Sequence, residues 1–249
     1  MNHWLLTLQY DGSRYHGWQV QPNGVTVQQV LQDAVERMTG VRSGITGCSR
    51  TDAGVHAEMF CCTLKTDSRI PSEKVPAALN AYLPRDIAVV DCRPVAPDFH
   101  PRYDARGKRY VYRIWNRPAR NPFWEGRAYH FGRRLNDAAM NAAAVGFVGQ
   151  HDFAAFCAAG STVEDTVRRV RACSVTRRGD LVEIRVEADG FLYNMVRIIV
   201  GTLLDMESGR LPWNAIPTIL ASRDRARAGT TAPACGLYLE QVFYDDRGE

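Results

Sequence analysis

The chain alternates and repeats in a readable way. Trp4 to Tyr10 has the alternation of a strand, closed by the turn Asp11-Gly12-Ser13. Thr26 opens a helix. Gln29 stands three residues on, as a capping box requires, and Val27, Val30, Leu31, Ala34, Val35 and Met38 recur at helical spacing up to Gly40. Two β-like runs follow, Gly44 to Cys48 and His56 to Thr66. Ser72 is the expected cap of a second helix, Glu73 to Tyr82, ended by Leu83-Pro84, and Ile87 to Val95 reads as a strand. The order to this point is β-α-β-β-α-β.

Pro94 to Ala105 is rich in Pro, Asp, His and Arg and marks the expected boundary between residues 1–104 and 105–249. Beyond it, Lys108 to Asn116 reads as a strand, with Tyr110, Tyr112 and Ile114 on one face. A basic, aromatic loop runs from Arg117 to Arg134. Asn136 caps a helix that ends near Gly149, and His151 to Phe156 reads as a loop. Val167 to Thr176 and Leu181 to Ala188 form a hairpin. Phe191 to Ser208 is the strongest helical pattern in the chain, a short helix fits Trp213 to Ser222, and Gly236 to Asp245 is a last strand. The second half therefore repeats β-α-β-β-α-β. The expected fold class is α+β: two ferredoxin-like halves joined into one extended, mostly antiparallel sheet with helices on one face. Between the halves no sequence repeat is visible, so the duplication rests on element order.

Composition changes this picture little. The 249 residues are 45% hydrophobic and 23% charged, an ordinary globular balance. Met1-Asn2-His3-Trp4-Leu5-Leu6 lacks the features of a signal peptide, and the apolar run Ile198 to Leu204 is too short to span a bilayer. A soluble, cytoplasmic protein is expected. Seven scattered cysteines show no Cys-x-x-Cys pair and no zinc spacing, which points to buried, reduced thiols. The net charge of +4 says less than its distribution: between His100 and Arg134 lie nine Arg and one Lys against Asp104 and Glu125. Arg interleaved with Tyr and Trp suits phosphate and bases, although a solvated basic face has the same composition.

The candidate chemistry sits between the second and third strands, in Gly47-Cys48-Ser49-Arg50-Thr51-Asp52-Ala53-Gly54-Val55-His56-Ala57. Asp52 is on a tight turn, as Asp and Gly favour, with Arg50 two residues upstream. A carboxylate beside a guanidinium stays ionised and can serve as nucleophile, base or metal ligand. His56 reads as a structural hydrogen-bonding residue. Arg197 falls inside the apolar run of the strongest helix and needs a carboxylate partner; Glu36, Asp205 and Glu207 are candidates as good as any on spacing.

Arg50-Thr51-Asp52-Ala53-Gly54-Val55-His56-Ala57 resembles the signature of the TruA-type tRNA pseudouridine synthases. Similar stretches are Tyr10 to Gln19, Asn80 to Pro84, Asp98-Phe99-His100, Arg109-Tyr110-Val111-Tyr112 and Asp189 to Arg197, so the resemblance runs from Trp4 to Tyr244. Ser49 departs from it where Gly is usual, Cys157 where a polar or basic residue is common, and Ile198 where Asn is frequent.

The resemblance implies two α/β halves with a cleft between them. It implies conversion of uridine to pseudouridine in the anticodon stem-loop of tRNA, at tRNA positions 38, 39 and 40. Asp52 is then the catalytic carboxylate, as nucleophile or as base, and Arg197 its partner. Tyr110 stacks on the target base, Leu237 walls the pocket and Arg50 holds the opened conformation. No cofactor or metal is implied; the chain has no P-loop or dinucleotide motif. The implied partners are tRNA and a second copy of the chain in a homodimer, with no DNA and no membrane. Two rivals stand beside this reading. One is a non-catalytic tRNA-binding or folding protein. The other is a carboxylate-dependent glycosidic hydrolase, which needs a second acid, and none neighbours Asp52 before Glu58.

Overall fold

The computed structural model describes residues 1–160 and 163–245. Its elements are β1 (Asn2–Tyr10), α1 (Val27–Thr39), β2 (Ile45–Gly47), β3 (His56–Thr66), α2 (Val75–Asn80), β4 (Ile87–Pro94), β5 (Ala105–Trp115), β6 (Tyr129–His130), α3 (Asp137–Ala144), β7 (Gly149–Asp152), β8 (Val167–Arg178), β9 (Leu181–Ala188), α4 (Met195–Glu207), α5 (Ile216–Ser222) and β10 (Leu237–Tyr244), with single 3-10 turns between them. They fall into two compact units: Met1–Arg106 with the segment from Tyr238 on, and Gly107–Leu237. Each is a mixed α+β body with a mostly antiparallel sheet.

In the first unit β1 lies between β4 and β3, antiparallel to both, and β2 lies antiparallel along the far end of β3. This gives the ferredoxin-like order β4-β1-β3-β2. The near end of β3 takes β10 in parallel, with Tyr238 opposite His56 and Leu239 opposite Ala57. Helix α1 buries Val27, Leu31, Ala34 and Val35; the Thr26 hydroxyl accepts from the Gln29 N–H, and Gly40 closes the helix at φ 76°. Helix α2 buries Val75 and Leu79, and the Asn80 amide ties it to β4 by two bonds to the Val89 backbone, at 2.8 and 2.9 Å. Trp4, Leu5 and Leu6 are buried in succession rather than alternately, so both faces of β1 are covered over this stretch.

In the second unit β9 lies between β5 and β8, and β7 flanks β8, all antiparallel; short β6 runs parallel to the end of β5. Helix α3 buries Met140 and Ala144 over β8, and α4 buries most of its length, from Met195 to Met206.

Several elements are shorter than the hydrophobic pattern predicts. The helix expected from Glu73 is a 3-10 turn, Ser72–Lys74, followed by α2 from Val75. Pro76 has no N–H to give Ser72, so an α-helix cannot run through this point, whereas Pro fits the first turn of a helix that starts at Val75. Pro217 sets the start of α5 in the same way. Helix α3 ends at Ala144, and Gly149–Asp152, part of it read as loop, is strand β7. Helix α4 begins at Met195 rather than Phe191, because Asn194 takes a left-handed conformation. Among the described residues no helix is long and apolar enough to cross a membrane. All seven cysteines are thiols; Cys157 and Cys235 are half-buried and the other five buried.

Candidate active site

Asp52 is half-buried and Arg50 exposed, on the connection between β2 and β3. The turn closes with the Val55 N–H donating to the Asp52 carbonyl at 3.1 Å, and Gly54 takes φ 77°, which a side chain would resist. The flanks are fixed from below. Cys48 N–H donates to the Cys61 carbonyl at 2.8 Å, while Thr51 is buried with its hydroxyl 2.8 Å from the Tyr10 hydroxyl.

A second loop, Asp11 to Gln19, lies directly against the first. Trp18 N–H donates to the Thr51 carbonyl at 3.0 Å, and Gly54 N–H to the Tyr15 carbonyl at 3.3 Å. Approach is closest at two glycines: a Cβ on Gly12 would stand 2.0 Å from the Val55 carbonyl oxygen, and one on Gly17 2.4 Å from that of Thr51. His56 is buried under this contact. Its Nδ1 accepts from the Gly12 N–H at 3.1 Å, and its ring stacks on Tyr238 at 4.4 Å, so it serves the scaffold. Trp18 stacks on Phe60 at 4.0 Å, and Arg14 and Tyr15 both bind Asp86, Tyr15 through its hydroxyl at 2.7 Å. Trp18 and Tyr15 are both buried, so this loop packs its own aromatics.

The other candidates lie in the second unit. Tyr110 and Tyr112 share a face of β5. Tyr112 is fully buried, and its hydroxyl donates to the Pro233 carbonyl at 2.8 Å. Burial raises its pKa far above the ordinary 10.0, and the positive charge of Arg197 pulls weakly the other way. Tyr110, 6% exposed, meets Phe191 edge to face at 4.9 Å. Gly236 packs on the Tyr112 ring, where a Cβ would come within 2.7 Å, and so sets the start of β10 at Leu237, itself buried.

Arg197 is half-buried on the first turn of α4. Its Nε donates to the Ala232 carbonyl at 2.7 Å and its Nη1 to Asn194 Oδ1 at 2.7 Å; Ala232 N–H returns a bond to the Arg197 carbonyl at 3.0 Å. Two carboxylates that the sequence offered it are held elsewhere. Glu36 pairs with Arg42, while Asp205 accepts from Arg210 and from the Thr230 N–H. Residues 229–237 thus run along α4 and then under Tyr112, so the second unit gathers Arg197, Tyr112 and Leu237 around one segment. Sequence reasoning missed the supports: Tyr10 beneath Thr51, Gly17 against Thr51, and Asn194 beside Arg197. A signal for the last was available, since side chains three residues apart around a helical turn are neighbours. Among the described residues no group of three His, Cys, Asp or Glu could hold a metal.

Comparison with known proteins reaches the whole of this arrangement. A family model described as tRNA pseudouridine synthase matches residues 7–104 and 143–245. A tRNA pseudouridine synthase A of Ruminiclostridium cellulolyticum is 47% identical over 240 residues, covering 96% of this chain and 98% of its own. Another, from a Thermoanaerobacter species, is 46% identical over 244 residues, covering 98% of this chain and all of its own. A third, from Caldicellulosiruptor saccharolyticus, is 45% identical over the same length. With a family model over most of the chain and relatives that match nearly from end to end, the chain belongs to the tRNA pseudouridine synthases, a family of isomerases.

Proposed function

We propose that this enzyme isomerises uridine to pseudouridine in the anticodon stem-loop of tRNA, with Asp52 as its catalytic carboxylate. The observation that carries the reading is the Asp52 turn. A half-buried carboxylate stands between strands on a loop fixed through Thr51, Gly54 and Val55, inside the sequence string on which the family resemblance is strongest. Fixing a reactive group before substrate arrives lowers the entropy cost of the reaction.

The reaction breaks the N1–C1′ bond of uridine, turns the uracil and joins C5 to C1′. The C5 proton leaves and N1 gains one, so there is no net redox change. Asp52 acts either by attack on the sugar or ring, or by removing the C2′ proton; both need it ionised, and Arg197 supplies the favourable charge. The uridine leaves its stack to react. Tyr110 offers a ring face and Leu237 an apolar wall for the base, and Arg50 holds the opened RNA. The working form is a cytoplasmic homodimer, whose mass light scattering measures directly.

The test is tritium release from tRNA labelled at uridine C5, with pure protein and nothing added. Asp52→Asn abolishes release while tRNA binding persists. Equal turnover by Asp52→Asn removes the assigned role. Release of free uracil would instead identify a glycosidic hydrolase, and binding with no release by the wild-type chain a tRNA-folding protein. Labelled tRNAs lacking uridine in the anticodon stem-loop test the location.

A further inference from the structure

Asn194 precedes α4 with φ 59° and ψ 9° and is one of two described non-glycine residues with positive φ. Asn tolerates this region better than most residues, yet glycine holds it with less strain. An Asn in front of a helix ordinarily uses its side chain to accept from one of the first free N–H groups. Asn194 makes no such cap. Its Oδ1 accepts from Arg197 Nη1 at 2.7 Å instead.

Arg197 is also oddly placed for helix stability. A cation in the first turn meets the positive end of the helix dipole. Two of its anchors lie on different edges of the planar guanidinium: Nε on the Ala232 carbonyl, Nη1 on Asn194. Together they fix both the tilt and the direction of the fork, as a single hydrogen bond could not. Ala232 is itself held, because Thr202 accepts from the Gly229 N–H at 2.9 Å and Asp205 from the Thr230 N–H at 2.9 Å.

We propose that Asn194 is a positioning residue: it gives up its capping bond to aim the Arg197 guanidinium, so that the charge is preset before RNA binds. The inference rests on the reading of Arg197 as a residue of the reaction.

Two variants separate this role from a conformational one. Asn194→Gly keeps the backbone geometry without strain and lacks the amide; Asn194→Ala lacks the amide and adds strain. Expected is a loss of about tenfold in kcat for both, with KM for tRNA changed by less than about twofold. The urea midpoint of Asn194→Gly stays at or above the wild-type value. In an Arg197→Lys background, where the fork is gone, Asn194→Gly costs nothing further. Wild-type kcat in Asn194→Gly overturns the proposal, as does an effect confined to KM or an equal loss in the Arg197→Lys background. Arg197→Ala is measured alongside. If it keeps full turnover, the reading of Arg197 falls and this inference with it. If it is inactive while Asn194→Gly is not, only this inference falls.

Discussion

Gly17 lies under Thr51 so closely that a Cβ on it would stand 2.4 Å from the Thr51 carbonyl oxygen, and its φ is 82°. The residue is therefore constrained twice, by conformation and by space. Gly17→Ala forces the loop carrying Asp52 to move. The expected cost is about 2 kcal/mol or more of stability, read as a lower urea midpoint. A fall in kcat beyond the loss of folded protein accompanies it. An unchanged midpoint and unchanged kcat would show that the two loops are not coupled.

The buried pair of hydroxyls, Tyr10 and Thr51 at 2.8 Å, makes a sharper test. Tyr10→Phe and Thr51→Val each leave a polar partner behind, at about 1–2 kcal/mol. The double variant leaves none and should lose less than the sum of the singles. Additive losses in denaturant melts argue against the bond.

Gly201 on α4 is the point where the 229–232 segment docks: a Cβ there would lie 1.6 Å from the Thr230 carbonyl oxygen. Gly201→Ala is expected to cost about 3 kcal/mol by overpacking and to displace the Ala232 carbonyl that anchors Arg197. Both the melting temperature and kcat fall. Gly209→Ala serves as a control, since nothing stands near its Cβ position; its φ of 77° alone predicts a loss of stability of about 1 kcal/mol and no effect on kcat.

Burial raises the thiol pKa of Cys61, Cys92 and Cys173 from 9.0 to about 12. A raised folded-state value means the native state keeps protons that the unfolded chain releases. The stability this gives is complete below pH 9 and is lost as pH rises toward 12. Urea midpoints should fall steadily over that window. At pH 8 a thiol reagent should modify the half-buried Cys157 and Cys235 in the native protein, and the other five only on unfolding. Rapid modification of Cys61 in the folded state would contradict this.

The local elements were legible where one rule acted alone. Thr26 and Gln29 mark the start of α1 and Gly40 its end, because capping and left-handed closure are decided within a turn. The β3 run, His56 to Thr66, appears with the limits read from the sequence. Where two local signals conflicted, the stronger constraint won: Pro76 overrode the helical stripe from Glu73, and Asn194 cut the first turn from the helix beginning at Phe191.

The sequence by itself determined the order of the longer elements, the family and the identity of the candidate groups, Asp52 and Arg50 on a turn, Tyr110 on a strand, Arg197 on an apolar helix. These depend on neighbours a few residues apart. Only the tertiary structure decided that Gly12 and Gly17 press on the Asp52 turn, that Ala232 and Asn194 share the Arg197 guanidinium, and that the last strand pairs with β3 through Tyr238 and Leu239. Close approach, shared donors and parallel pairing join residues far apart in the chain, and no periodicity along the chain encodes which of them will meet.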